Sequence, residues 1–143
     1  MNVEFILRNK GRSVFTIGPD AKIAAAVALL RRHDIGALVV SKDGRSVDGI
    51  LSERDIVHAL ADNGDRVLSL DVAQLMSRRV ITCKLSDSVA DLMALMTDRR
   101  IRHLPVVEGG VLAGIISIGD VVKNRLDEVE SEATSMREFI AGA

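Results

Sequence analysis

The sequence has one cysteine, Cys83, no tryptophan, no tyrosine and only two prolines in 143 residues. A single thiol excludes an intrachain disulfide and any multi-cysteine metal site, and it fits a reducing, cytoplasmic setting. Three phenylalanines are the whole aromatic complement, too few to stack on a run of single-stranded bases. An excess of one charge is also missing. With 19 basic and 20 acidic residues the formal net charge is -1, so no global field draws in nucleic acid or an anionic membrane. No stretch reaches the ~18 apolar residues that a membrane span needs. The opening MNVEFILRNKGR has no basic region leading into a long apolar run, so neither export nor membrane insertion is expected. His33, His58 and His103 lack metal-ligand spacing, which leaves no metal site to propose.

What is present is a globular composition, 48% hydrophobic and 27% charged, written nearly twice over. At an offset of 66, Val14, Thr16, Ala24, Ala28, Leu29, Ile35, Leu38 and Val40 fall on Val80, Thr82, Ala90, Ala94, Leu95, Ile101, Leu104 and Val106. After a one-residue loop deletion the offset is 65, and Gly49, Ile50, Ser52, Asp55 and Val57 meet Gly114, Ile115, Ser117, Asp120 and Val122. Two such short units bury too little surface singly, so they are expected to pack face to face about a pseudo-twofold axis.

Each unit reads β-α-β-β-α. VFTI (14–17) and VITC (80–83) are expected first strands, each followed by a polar turn ending near Asp20 or Ser86 that can cap a helix. Ile23, Ala26, Val27 and Leu30, and then Val89, Leu92, Met93 and Met96, recur at helical spacing. GALVVS (36–41) and LPVVE (104–108) lead through Asp43-Gly44 and Gly109-Gly110 into return strands VDGILS (47–52) and LAGIIS (112–117). Val72, Leu75 and Met76 echo Val3, Ile6 and Leu7, so the repetition extends upstream of the first strand. The last helix is expected to run to about Ile140, with Val122, Leu126, Val129, Ala133, Met136 and Ile140 in a heptad-like seam. The expected divisions are 1–66, 67–125 and a helical extension, 126–143.

The residues with chemistry sit where strand becomes helix. GILSERD (Gly49 to Asp55) and GIISIGD (Gly114 to Asp120) each place a hydroxyl at a helix start and a carboxylate three residues on. Unpaired helix N–H groups and Ser52 or Ser117 suit a phosphate, and Asp55 or Asp120 suits the cis-diol of a ribose. Ser-x-x-Asp is equally a capping box that needs no ligand. Arg102 and His103, at the mouth of IRHLPVV, suit an anion or simply solvate a strand end, and Pro105 marks a strand edge or start. No activating base stands beside Ser52 or Ser117 in the sequence, so no catalytic residue is assigned.

On these segments, both units resemble the cystathionine beta-synthase (CBS) domain, and the chain resembles a stand-alone pair of them, a Bateman module, over about residues 1–125. The resemblance implies an α/β (α+β) fold of two β-α-β-β-α repeats and a flat homodimer. It also implies adenosine-containing ligands in the clefts between repeats: AMP foremost, ADP or ATP, with NAD(H) or S-adenosylmethionine as alternatives. Transferred residue by residue, one site uses Ser52, Arg54 and Asp55 with Thr82 and Cys83 across the cleft, and Arg102, His103 and Pro105. The other uses Ile116, Ser117 and Asp120 with Thr16, Ile17 and Ala21. The chain departs from the family pattern at Arg54 and Gly119, where a second hydroxyl is absent, and at Gly36 and Ala37, where the basic pair is absent. The implied function is a non-catalytic module that reports ligand occupancy to another protein. The alternative is a ligand-free assembly module joined through its repeats and last helix.

Overall fold

Asn2 opens the first helix, α1 (Val3–Lys10), by accepting the Phe5 N–H at 3.0 Å, and Val3, Ile6 and Leu7 share its buried face. In the computed structural model, which describes residues 1–142, there follow β1 (Thr16–Ile17), α2 (Ile23–His33), β2 (Ala37–Val40), β3 (Gly49–Ser52) and α3 (Glu53–Asn63). A 3-10 stretch, Gly64–Ser69, leads to α4 (Val72–Leu75). The second repeat supplies α5 (Val89–Arg99), β4 (His103–Glu108), β5 (Val111–Ser117) and α6 (Ile118–Gly142). Ala143, the end of the expected extension, lies outside the described residues.

In the first sheet, β1 pairs parallel with β2, and β2 pairs antiparallel with β3. The second sheet keeps only the antiparallel pair β4–β5. VITC, expected as a strand, is reduced to one parallel bridge, Cys83 with Val106. Pro105 explains the loss. It stands where Val39 meets Thr16 in the first sheet, and it has no N–H with which to carry the ladder toward Ile81.

Two local expectations also shift. The helix caps are Lys22, which makes no side-chain cap bond, and Ser88, which accepts the Asp91 N–H at 3.0 Å. Each lies two residues beyond Asp20 or Ser86 because the preceding turns, Gly18–Ala21 and Lys84–Asp87, consume those positions. Val27 is exposed, so α2 buries the narrower face of Ile23, Ala26 and Leu30.

Two apolar cores form, and neither follows the sequence boundary. The first gathers Ile17, Ile23, Leu30, Leu38, Val40 and Leu51 with Val67, Val72 and Met76. The second gathers Cys83, Val89, Leu92, Met96, Leu104, Val106, Ile116 and Val121 with Val3, Ile6 and Leu7. The helix that leads each repeat therefore packs on the other repeat. The strand glycines make this possible. A Cβ on Gly114 would come within 2.7 Å of Leu7 Cδ1, and one on Gly49 within 2.6 Å of Met76 Sδ and 2.9 Å of the Ser77 carbonyl. The glycine that opens each G-I-x-S-x-x-D segment is thus explained by packing, since it admits the other repeat's leading helix.

Leu7→Ala is expected to destabilise the fold by about 2–5 kcal/mol, the ordinary cost of emptying a buried leucine site. Hydrogen exchange should quicken in β4 and β5 more than in β1–β3, although Leu7 precedes the first repeat. Faster exchange confined to β1–β3 would contradict the crossed packing.

Candidate functional site

Strand β3 hands Ser52 to the first turn of α3. The Ser52 hydroxyl oxygen accepts the Asp55 N–H at 3.2 Å, and Asp55 Oδ2 accepts the Ser52 N–H at 2.8 Å and its hydroxyl at 3.0 Å. The capping box is therefore real. It occupies one carboxylate oxygen; the other, Oδ1, accepts no hydrogen bond from the described residues and remains available to a ligand. Ser117 and Asp120 repeat the geometry at 2.9 and 3.2 Å.

Beside Asp55 opens a cleft of about 290 Å³ between the repeats. It brings together Ser52, Arg54, Asp55, Arg102 and His103, as well as Gly36 and Ile50. The facing wall is Ser77, Arg79, Val80 and Ile81, with Arg100 and Ile101 at one side. Four arginines (Arg54, Arg79, Arg100 and Arg102) and two acidic residues, Glu53 and Asp55, thus line one cleft in a chain whose overall charge is -1. Arg79 and Arg100 escape sequence reasoning, since they look like ordinary surface charges in Arg78-Arg79 and Arg99-Arg100. Arg100 is placed by the end of α5, where it takes a left-handed φ of 53°; Asp34, its counterpart after α2, has φ 52°.

Thr82 and Cys83 do not line this cleft; Val80 and Ile81, two residues earlier, do. Thr82 is exposed, whereas Cys83 is buried in the second core, bonded through its backbone to Pro105 and Val107. Burial, reinforced by Asp87, pushes its thiol up to about 12, so it is a core residue and an unreactive one. Pro105, Ile116 and Ile17 are likewise buried in the cores rather than set in this wall. Thr16 and Ala21 are half-buried. At the offset of 66 the counterparts of Val80 and Ile81 are Val14 and Phe15, and Phe15 stacks on His33 at 3.6 Å.

The two sites differ in what occupies them. Lys10, at the end of α1, places its ammonium 2.6 Å from Asp120 Oδ2 and 2.9 Å from the Ile115 carbonyl oxygen. It shares Asp120 Oδ2 with the Ser117 N–H, so this carboxylate is engaged by both the cap and an ammonium. Burial raises the Asp120 pKa, but the Lys10 ammonium and the Ser117 N–H outweigh it and hold the carboxyl below its ordinary value. By the alignment of the leading helices, Lys10 corresponds to Arg79, which lines the open cleft instead.

His103 stands between the two sites. A Cβ on Gly36 would lie 3.4 Å from both the His103 ring and Glu53 Oε1, ordinary van der Waals distance, so these two side chains border the Gly36 position. Burial, with help from Lys10 and Arg102, lowers the His103 pKa; Glu53 and Asp120 pull the other way. The described residues contain no cluster suited to a metal ion, and none of their helices is long and apolar enough to cross a membrane.

The family model described as CBS domain matches residues 11–62 and 72–127. The CBS-domain containing protein ATU1752 of Agrobacterium tumefaciens has a solved structure that is 48% identical, with a TM-score of 0.84 over 87% of this chain and 99% of that one. The mitochondrial CBS domain-containing protein CBSX3 of Arabidopsis thaliana is 33% identical over 96% of this chain and 70% of its own length. The CBS domain pair of protein MJ0100, solved in complex with 5′-methylthioadenosine and S-adenosyl-L-methionine, is 25% identical, with a TM-score of 0.78 over 90% of this chain and 98% of that one.

The lowered pKa of His103 has a definite sign. Below the unfolded value of about 6.5 the unfolded chain takes up a proton that the folded chain resists, so this site loses stability as pH falls from 7 toward 5. The melting temperature of His103→Gln should therefore drop less over that interval than that of the wild type. Equal slopes would contradict a half-buried His103 that resists protonation.

Proposed function

This chain belongs to the CBS domain family as a tandem pair of repeats, and on that premise we propose that it is a non-catalytic regulatory module for a phosphorylated adenosine ligand, AMP foremost. The observation that carries the reading is the first cleft: four guanidiniums gathered beside an aspartate with one oxygen unused. Ile50, Val80, Ile81 and Ile101 offer apolar walls to an adenine ring. Asp55 Oδ1 accepts from the ribose hydroxyls, and Arg54, Arg79, Arg100 and Arg102 meet phosphate. The ligands held by the MJ0100 pair share adenosine but carry no phosphate. The arginines here are the reason to prefer a phosphorylated relative of those ligands.

Binding in a cleft between repeats favours one relative placement of the two, and a partner protein that distinguishes placements senses the ligand. The module works as a homodimer, and the single buried thiol agrees with a reducing cytoplasm. Occupancy is one ligand per chain on this reading, because Lys10, paired with Asp120 and bonded to the Ile115 carbonyl oxygen, competes with a ligand's donors at the second site. A second reading, assembly without ligand, draws support from capping boxes that the protein's own groups complete. Ligand titration separates the two.

Calorimetry with AMP, ATP and S-adenosylmethionine should show one equivalent per chain, tighter for the phosphorylated ligands and weakened by salt. Asp55→Asn keeps an acceptor for the cap but loses the charge, and affinity should fall at least about tenfold, or ~1.4 kcal/mol. Lys10→Ala should open a second equivalent. No heat and no melting shift with any of the three would leave the assembly reading. Two equivalents in the wild type would remove Lys10 as the closing residue.

A further inference from the structure

Helix α6 buries only Val121 and Asn124, near its start. The stripe Val122, Leu126, Val129, Met136 and Ile140 stays open, from 46% exposed at Val129 to 66% at Ile140. Its spacing of four, three, seven and four residues, with Ala133 filling the seven-residue step, has a unique heptad reading: Leu126, Ala133 and Ile140 at a; Val122, Val129 and Met136 at d. The flanking positions then follow. Arg125 and Glu132 are at g, and Lys123, Glu130 and Arg137 are at e.

We propose that α6 pairs with α6 of a second copy of this chain as a parallel, in-register two-stranded coiled coil. This deepens the homodimer in the proposed function by naming its contact and orientation. Charge decides the occupant. In a parallel pair each g residue faces the e residue five positions later in the partner, which sets Arg125 against Glu130 and Glu132 against Arg137, both attractive. In a fully overlapped antiparallel pair, Glu130 faces Glu130, Glu132 faces Glu132 and Lys123 faces Arg137, all repulsive. One polar stripe thus favours one orientation and opposes the other. Arg125 is bonded within its own helix to Glu128 at 3.0 Å, and its remaining guanidinium N–H groups serve Glu130 of the second copy. The seam is short for an independent coiled coil, so the repeats behind it must contribute to the pairing.

The test uses the full chain. Light scattering should give the mass of two chains, and Met136→Asp with Ile140→Asp should reduce it to one. Met136→Cys should form an interchain disulfide on mild oxidation, because parallel register brings the two position-136 side chains together. Ser131→Cys, on the outer f position, should not, and Cys83 is too buried to interfere. Three results overturn the proposal. A single-chain mass in the wild type removes the dimer altogether. A dimer that survives both aspartates moves the contact to another surface and leaves the homodimer standing. Faster crosslinking between Leu126→Cys and Met136→Cys chains than between two Met136→Cys chains reverses the orientation.

Discussion

Neither repeat closes its own core. Each return strand carries a glycine, Gly49 or Gly114, whose missing side chain admits Met76 or Leu7 from the helix that leads the other repeat. This exchange interlocks the two units. It also decides what each cleft contains, because the residues just past each leading helix are delivered to the neighbouring strand-to-helix junction. Past α4 the chain bonds Ser77 to Ile50 through both backbone groups, at 2.9 and 3.0 Å, and sets Arg79 in an open cleft. At the end of α1 it delivers Lys10 onto Ile115 and Asp120. One scaffold geometry thus carries two different side chains, Arg79 lining a cleft and Lys10 paired with Asp120.

The repetition, the order of elements, the paired Ser-x-x-Asp segments and the extent of the last helix were legible from the sequence, because each depends on local periodicity or a short motif. The crossed cores were half legible. The echo of Val3, Ile6 and Leu7 in Val72, Leu75 and Met76 shows that leading helices exist, but hydrophobic spacing does not say which strand a helix covers. The missing first strand of the second repeat is a tertiary consequence of Pro105, which reads as a strand edge only once its parallel neighbour is known. Thr82 and Cys83, expected at the cleft wall, do not line the described cleft, whereas Val80 and Ile81 do. Alternation along an extended segment places Cys83 inward, but which of its neighbours reaches the cleft depends on where the segment leaves the sheet. Arg79 and Arg100 are arginines among many in sequence, and only the fold gathers them with Arg54 and Arg102.

Ser-x-x-Asp is a cap in both repeats, and the proposed clamp would use the second oxygen of the same carboxylate. Oδ2 of Asp55 serves the helix, Oδ1 accepts no hydrogen bond from the described residues, and Asp55 lines the same cleft as four arginines. The cap engages one carboxylate oxygen and is therefore compatible with the proposed clamp.

The most direct measurement is mass spectrometry of small molecules released by heating or acid from freshly purified protein. The absence of tryptophan and tyrosine makes a parallel 260 nm absorbance band easy to see. The account predicts a phosphorylated adenosine compound, at no more than one per chain. Protein that releases no adenosine compound, and takes up none when incubated with a nucleotide mixture, would contradict it.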